Sequence, residues 1–333
     1  MHDHHVRNDY SRLTYLFLAL LCVVSYPFSS CKTTNSMVTD IDKKAMNELL
    51  QTLKNRSQFV KVHAGEYLIW LGYPDEVKKE FLKENELHNR EPRYRVVIWR
   101  VLAQTETVPT KKEQWTLKIE DAFEDINGPD RLHAAETLGK LKISPLAKYP
   151  EATQNALSSD NRNLNVYTLW AISHSSDSAF EKNKREFLNL LISDSNQIVR
   201  KISAFILRNS GNLSEHDWKI LAGKAFSEPE ASDLRTTLFN TAFVTVPEQS
   251  GKPDRYEEIW TEIKKDHHRF TAGKRIELAI SLAQKGTTND MPVLTSILND
   301  ENIAGLYEAS SDEGADARAA AAYAILKIKQ RTK

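Results

Sequence analysis

Two near-duplicate stretches carry the side chains best suited to chemistry: Val62-His63-Ala64-Gly65-Glu66 and Leu132-His133-Ala134-Ala135-Glu136, with Arg100 between them. Two imidazoles and two carboxylates are the ligand types of a divalent metal. The same groups around an arginine suit a groove that holds a polar or anionic molecule, a sugar or a carboxylate. The plainer reading is structural, with glutamate favoured in a helix and paired with Arg100. Arg93, Tyr94, Arg95, Trp99 and Arg100 form the densest basic and aromatic cluster. Guanidinium groups beside aromatic faces hold carboxylates, phosphates or sugar faces. Here too a structural reading competes, because Trp99 falls at a core position.

Spacings of three and four place residues on one face of a helix. His63, Glu66 and Trp70 therefore share a face, as do Val97, Arg100 and Gln104, and His133, Glu136 and Lys140. The corresponding faces further on are Leu164, Tyr167, Ala171 and then Ile202, Phe205, Asn209, which are mostly apolar and suit a core or a partner helix. All of these are expected to line a concave surface.

The elements that position them repeat. Aligned on basic-x-x-small-small-x-x-Leu, eight segments begin at Lys61, Arg95, Arg131, Arg162, Arg200, Arg235, Arg275 and Arg318. Self-similarity at roughly 35 residues is the mark of a helical repeat array. Before them lie further amphipathic stretches, such as Asp75 to Lys83, Lys111 to Phe123, Phe180 to Ile192, Trp218 to Phe226 and Tyr256 to Ile263. The unit is a helix hairpin. Small residues at its fourth and fifth places allow close helix approach, and Gly72, Gly211 and Gly286 are placed as left-handed C-caps.

Trp70-Leu71-Gly72-Tyr73-Pro74-Asp75 and the repeat pattern resemble the bacterial HEAT repeat of the kind related to phycocyanobilin lyases. The resemblance covers about Asp40 to Lys329. It implies an all-α fold, a right-handed α-solenoid of about eight hairpins whose second helices line the inner surface. At a layer spacing of 8 to 10 Å, positions two repeats apart would lie roughly 20 Å from each other, too far for both His/Glu pairs to share a metal. Neither metal nor cofactor is expected. Met37 to Lys54 is expected to cap one end of the stack. At the other, Lys327, Lys329, Arg331 and Lys333 would suit a helix C-terminus. Glu301 to Asp316 reads as an acidic surface loop.

Residues 1–30 read as an address. Arg7 and Arg12 precede an apolar run from Leu13 to Val24, too short to span a bilayer, and Phe28-Ser29-Ser30-Cys31 follows. This resembles a bacterial lipoprotein signal, although Phe28 stands where an aliphatic residue is usual. The resemblance implies lipid on Cys31, a linker over 31–39, a repeat domain over 40–333, and anchorage in the cell envelope facing the periplasm. An ordinary cleaved signal or an uncleaved anchor are the alternatives. Cys22 would leave with the leader, so the mature chain would hold no disulfide.

With 45 basic and 45 acidic residues in 333, the chain lacks the basic surface that nucleic acid binding needs. P-loop, dinucleotide-binding, zincin and serine-hydrolase motifs are absent from the sequence. Di-iron hydroxylases and bilin lyases built on such repeats are analogies of fold alone. The expectation is a monomeric, non-enzymatic scaffold for another envelope protein, with a ligand groove at His63, Glu66, Trp70, Arg93, Tyr94, Arg100, Arg131, His133 and Glu136 as the alternative.

Overall fold

The computed structural model describes residues 39–248 and 253–332. Its helices fall into eight consecutive hairpins. They are α1 (Asp40–Asn55) with α2 (Gln58–Trp70), α3 (Pro74–His88) with α4 (Tyr94–Thr105), α5 (Pro109–Glu124) with α6 (Arg131–Leu141), and α7 (Pro150–Leu157) with α8 (Arg162–Ser173). There follow α9 (Asp177–Ser193) with α10 (Gln197–Arg208), α11 (Glu215–Ser227) with α12 (Asp233–Val244), α13 (Tyr256–Glu262) with α14 (Ala272–Lys285), and α15 (Met291–Leu298) with α16 (Asp312–Arg331). No strand occurs among the described residues. The all-α helical repeat architecture is as the periodicity predicts, and every repeat basic residue lies in the second helix of its hairpin. Among the described residues no helix is long and apolar enough to cross a membrane.

Local chemistry explains the boundaries. Proline opens α3, α5 and α7 at the first turn, where its missing N–H costs nothing. Ser176, Ser214, Ser232 and Ser311 cap the helices that follow them. Gly72 and Gly211 take the left-handed conformation expected of them, at φ +94° and +78°. Gly286 does not. Its φ is −66°, and it is needed because a Cβ there would lie 2.6 Å from the Leu282 carbonyl oxygen.

The even-numbered helices pack side by side, α2 on α4 and onward to α14 on α16, and α16 packs on both α1 and α2. The stack therefore has no free ends. It closes on itself as a ring with the second helices inside and the first helices outside. The expected cap corrects accordingly: α1 seals the ring against the last helix, and Met37 lies outside the described residues. The basic end of α16 does likewise. Lys329 Nζ pairs with Asp42 and donates to Thr39 Oγ1 (2.7 Å), and Gln330 Nε2 donates to the Leu71 carbonyl (3.2 Å).

The acidic stretch is also corrected. Ser311 Oγ accepts the Gly314 N–H (3.1 Å), so residues from Asp312 onward are helix rather than loop, and Asp316 is 1% exposed. Acidic residues in a first turn suit the positive end of the helix dipole. Further along α16, Ala317, Ala319, Ala320, Ala321, Ala322 and Ala324 are all fully buried. A row of methyl groups lets α16 wedge between α14 and the first hairpin at close axial distance. Across the seam, Tyr67 stacks on Tyr323 with ring centroids 4.8 Å apart.

Candidate functional site

Each repeat basic residue reaches the following hairpin. Lys61 Nζ meets Glu84 (2.5 Å), Arg95 binds Asp130, Arg131 donates to the Ala152 carbonyl (2.6 Å), and Arg162 meets Asp194 (2.5 Å). Arg200 faces Glu228 (3.7 Å), Arg235 faces Glu262 (3.5 Å), and Arg275 donates to the Glu301 carbonyl (3.1 Å). Arg318 Nε donates to Glu48 Oε1 (2.8 Å), which belongs to the first hairpin. The residue that defines the repeat is thus its mortar. This settles the place of Arg131, which also donates to the Phe123 carbonyl (3.2 Å) and Asn155 (2.7 Å).

The face predicted to be concave does point into the ring, but the ring is filled. Glu66, Arg100 and Glu136 are 0%, 2% and 2% exposed. Arg100 Nε donates to Glu66 Oε1 (2.7 Å), Gln104 Nε2 donates to the same oxygen (3.1 Å), and Lys140 Nζ donates to Glu136 Oε1 (2.6 Å). Two carboxylates meet one guanidinium and one ammonium. Burial works to raise the pKa of Glu66, but Arg100 and Lys140 outweigh it and hold the carboxyl below its ordinary range. Glu136 is likewise held low, against its burial, by Lys140, His133 and Arg100. Burial and the nearby Arg100 depress Lys140. The cluster is self-compensated.

Side chains two hairpins apart do meet at one point, where the rings of Phe59 in α2 and His133 in α6 lie 6.2 Å apart. His63 is engaged elsewhere. Its Nδ1 sits 2.9 Å from both carboxylate oxygens of Asp316, across the seam. His133 faces its own Glu136 at 3.7 Å. Among the described residues no group of three or more His, Cys, Asp or Glu side chains could hold a metal ion.

The basic and aromatic cluster disperses. Arg93 is exposed at the N-cap of α4, with φ +71° and its backbone N–H on Asp130. Tyr94 is buried and donates to Glu84 Oε2 (2.7 Å). Trp99 donates to Asn85 Oδ1 (3.2 Å), while Arg100 turns inward. Trp70 packs edge-on against Tyr67 and Tyr323 at 5.8 and 5.6 Å. Tyr167, Ile202 and Phe205 are core, at 5%, 6% and 2% exposed. Cys31 lies outside the described residues.

Two features escaped sequence reasoning. One is a cavity of about 360 Å³ over hairpins 5 to 8, lined among others by Lys201, Lys274, Glu277, Glu313 and Asp316. The other is the distribution of exposed large apolar side chains. Tyr73, Leu82, Leu87, Val108, Leu117, Ile126 and Leu146 are 38–74% exposed and all fall within residues 73–146, whereas Ile220 is the single further case among the described residues. Pattern alone could not find either, since each depends on which faces the closed ring leaves outside. No protein family, no curated protein and no solved structure matches this chain.

Proposed function

We propose that this chain is a lipid-anchored envelope protein built of HEAT-like hairpins, acting as a non-enzymatic scaffold that docks another envelope protein. The docking surface is the outer side of hairpins 2 to 4 rather than a concave groove. One observation carries this reading: the exposed large apolar side chains gather on those hairpins. A single exposed leucine needs no explanation; seven large apolar side chains exposed between residues 73 and 146 support an interaction surface on these hairpins. Leu87, 74% exposed near the end of α3, is its most prominent member. The compensated interior supports the same reading, because Glu66, Arg100, Glu136 and Lys140 satisfy one another and serve the ring. The repeat pattern and Trp70-Leu71-Gly72-Tyr73-Pro74-Asp75 support the HEAT-like assignment, and the leader supports the anchor at Cys31 and the periplasmic side.

The test is affinity capture from native membranes with the wild type, a Leu87→Glu/Leu117→Glu variant and an Ile220→Glu control. One partner should be retained by wild type and control and lost from the double variant. A partner retained by all three would overturn the location, and no specific partner would overturn the scaffold. Intact mass of the extracted protein should show acylated Cys31; an unmodified chain starting elsewhere would reject the anchor.

A further inference from the structure

Short connections make neighbouring helices antiparallel, so every first helix begins, and every second helix ends, on one rim of the ring. Three consecutive hairpins treat that rim differently from the rest. The N-cap places of α3, α5 and α7 are Tyr73, Val108 and Tyr149, and none of them supplies a side-chain cap. Thr39, Ser176, Ser214, Arg255 and Asp290 stand at that place before the other first helices. A small polar residue is favoured at an N-cap because its side chain accepts an unpaired N–H of the first turn. Here apolar groups face solvent instead. Tyr73, Val108 and, just before Tyr149, Leu146 are 48%, 45% and 43% exposed.

The chain enters the ring on the same rim. Lys329 Nζ donates to Thr39 Oγ1 (2.7 Å) and its neighbour Gln330 donates from Nε2 to the Leu71 carbonyl (3.2 Å), so the start of α1 lies beside the turn that carries Tyr73. Cys31 precedes Thr39 by eight residues, a reach of about 29 Å at full extension. A lipid on Cys31 holds this rim close to a bilayer.

We infer that the rim of hairpins 2 to 4 lies in the interface of a lipid bilayer, with Tyr73, Val108 and Leu146 entering among the headgroups. This orientation rests on the lipid anchor proposed at Cys31. Tyrosine suits that depth, having an apolar ring and a polar hydroxyl. Three side chains alone hold weakly, but an anchor makes their insertion an intramolecular event. The exposed charges around these turns balance, with Lys111, Lys112, Lys142 and Lys148 against Asp75, Glu76, Glu113 and Glu151. Attraction to anionic lipid is therefore small, and the apolar side chains set the orientation. Leu82, Leu87, Leu117 and Ile126 stay off this rim, on the outer side left to a protein partner.

The test uses acylated full-length protein in phosphatidylcholine vesicles, with and without a phosphatidylcholine bearing a headgroup nitroxide. Acylation consumes the Cys31 thiol and Cys22 leaves with the leader, so one environment-sensitive dye reports Tyr73→Cys, Val108→Cys, Leu146→Cys, Ile126→Cys or Ile220→Cys. The nitroxide should remove about half or more of the emission at the three rim sites, and almost none at Ile220 or at Ile126, which lies about 24 Å from Val108 along the 16 residues of α5. Tyr73→Asp with Val108→Asp should relieve the quenching at Leu146→Cys while keeping the fold, since aspartate is a favoured N-cap. Circular dichroism verifies the fold. Phosphatidylglycerol in place of phosphatidylcholine should change the quenching little. In acylated protein, equal quenching at Val108 and Ile126, none at the rim, no relief by the double variant or a requirement for anionic lipid would each overturn the orientation alone. A second dye on Cys31, seen by intact mass, would overturn the anchor and the orientation with it.

Discussion

Arg318 in the last helix donates to Glu48 in the first, at 2.8 Å across 270 residues of sequence. Its counterpart one hairpin after the other, from Lys61 on Glu84 to Arg275 on the Glu301 carbonyl, ties each repeat to its successor. The eighth tie finds hairpin 1 as its successor. Ring closure is therefore the same interaction repeated once more, and the contacts of His63 with Asp316 and Tyr67 with Tyr323 complete that interface.

The interior ion cluster should behave as a unit. Removing one carboxylate by Glu66→Ala leaves Arg100 charged, buried and without its main partner, which costs about 3–5 kcal/mol. Replacing both members, as in Glu66→Met with Arg100→Met, should be markedly less costly than the single change. Urea unfolding monitored by circular dichroism checks the order. If the single and double variants lose equal stability, the pair is not acting as described.

Acid stability should carry the mark of His174. Burial pushes its pKa down to about 4, the nearby Lys142 adding to this and a backbone hydrogen bond to Gly139 opposing it. Between about 6.5 and 4 the unfolded chain takes up a proton that the folded chain refuses. Stability is thus lost as pH falls through that window. His174→Gln should flatten the melting temperature against pH there, while leaving the steeper loss at lower pH, where Glu66 and Glu136 must protonate, in place.

Small residues in the repeat should tolerate growth only where the ring leaves room. A Cβ at Gly139 would collide with the Trp170 ring, and one at Gly65 would lie 2.9 Å from Phe81 Cε2. Alanine at either place should cost about 1–3 kcal/mol by overpacking. Exposed Gly223 in α11 has nothing within 4 Å, so Gly223→Ala should stabilise by up to about 1 kcal/mol through helix propensity. Thermal melts of the three variants give the comparison.

The hairpins were legible because their determinants are local. Apolar periodicity, prolines such as Pro74 and Pro109, and the recurring basic residue all act within one repeat. Glu66 with Arg100 was legible as a pair for the same reason, since the two occupy equivalent places in adjacent hairpins. Closure was not legible, because it depends on curvature accumulated over eight hairpins rather than on any one of them. That single unknown accounts for the other differences. Asp316 looked like part of an acidic loop until the first hairpin arrived to bury it against His63. The His63 and His133 faces looked like a groove until the ring filled it. Arg93, Tyr94 and Arg100 are close in sequence, yet helix geometry sends them outward, sideways and inward.

Closure itself is best tested by the distance between the two ends of the repeat array. Lys44 Nζ donates to Asn299 Oδ1 at 2.6 Å, and both residues are exposed. Spin labels on Lys44→Cys and Asn299→Cys, in a chain with Cys22→Ser and Cys31→Ser, report that distance by pulsed electron resonance. A closed ring predicts a narrow distribution within about 25 Å. An open stack of hairpins, at 8 to 10 Å per layer over seven steps, would place the labels roughly 55–70 Å apart, and a distribution centred there would contradict the ring.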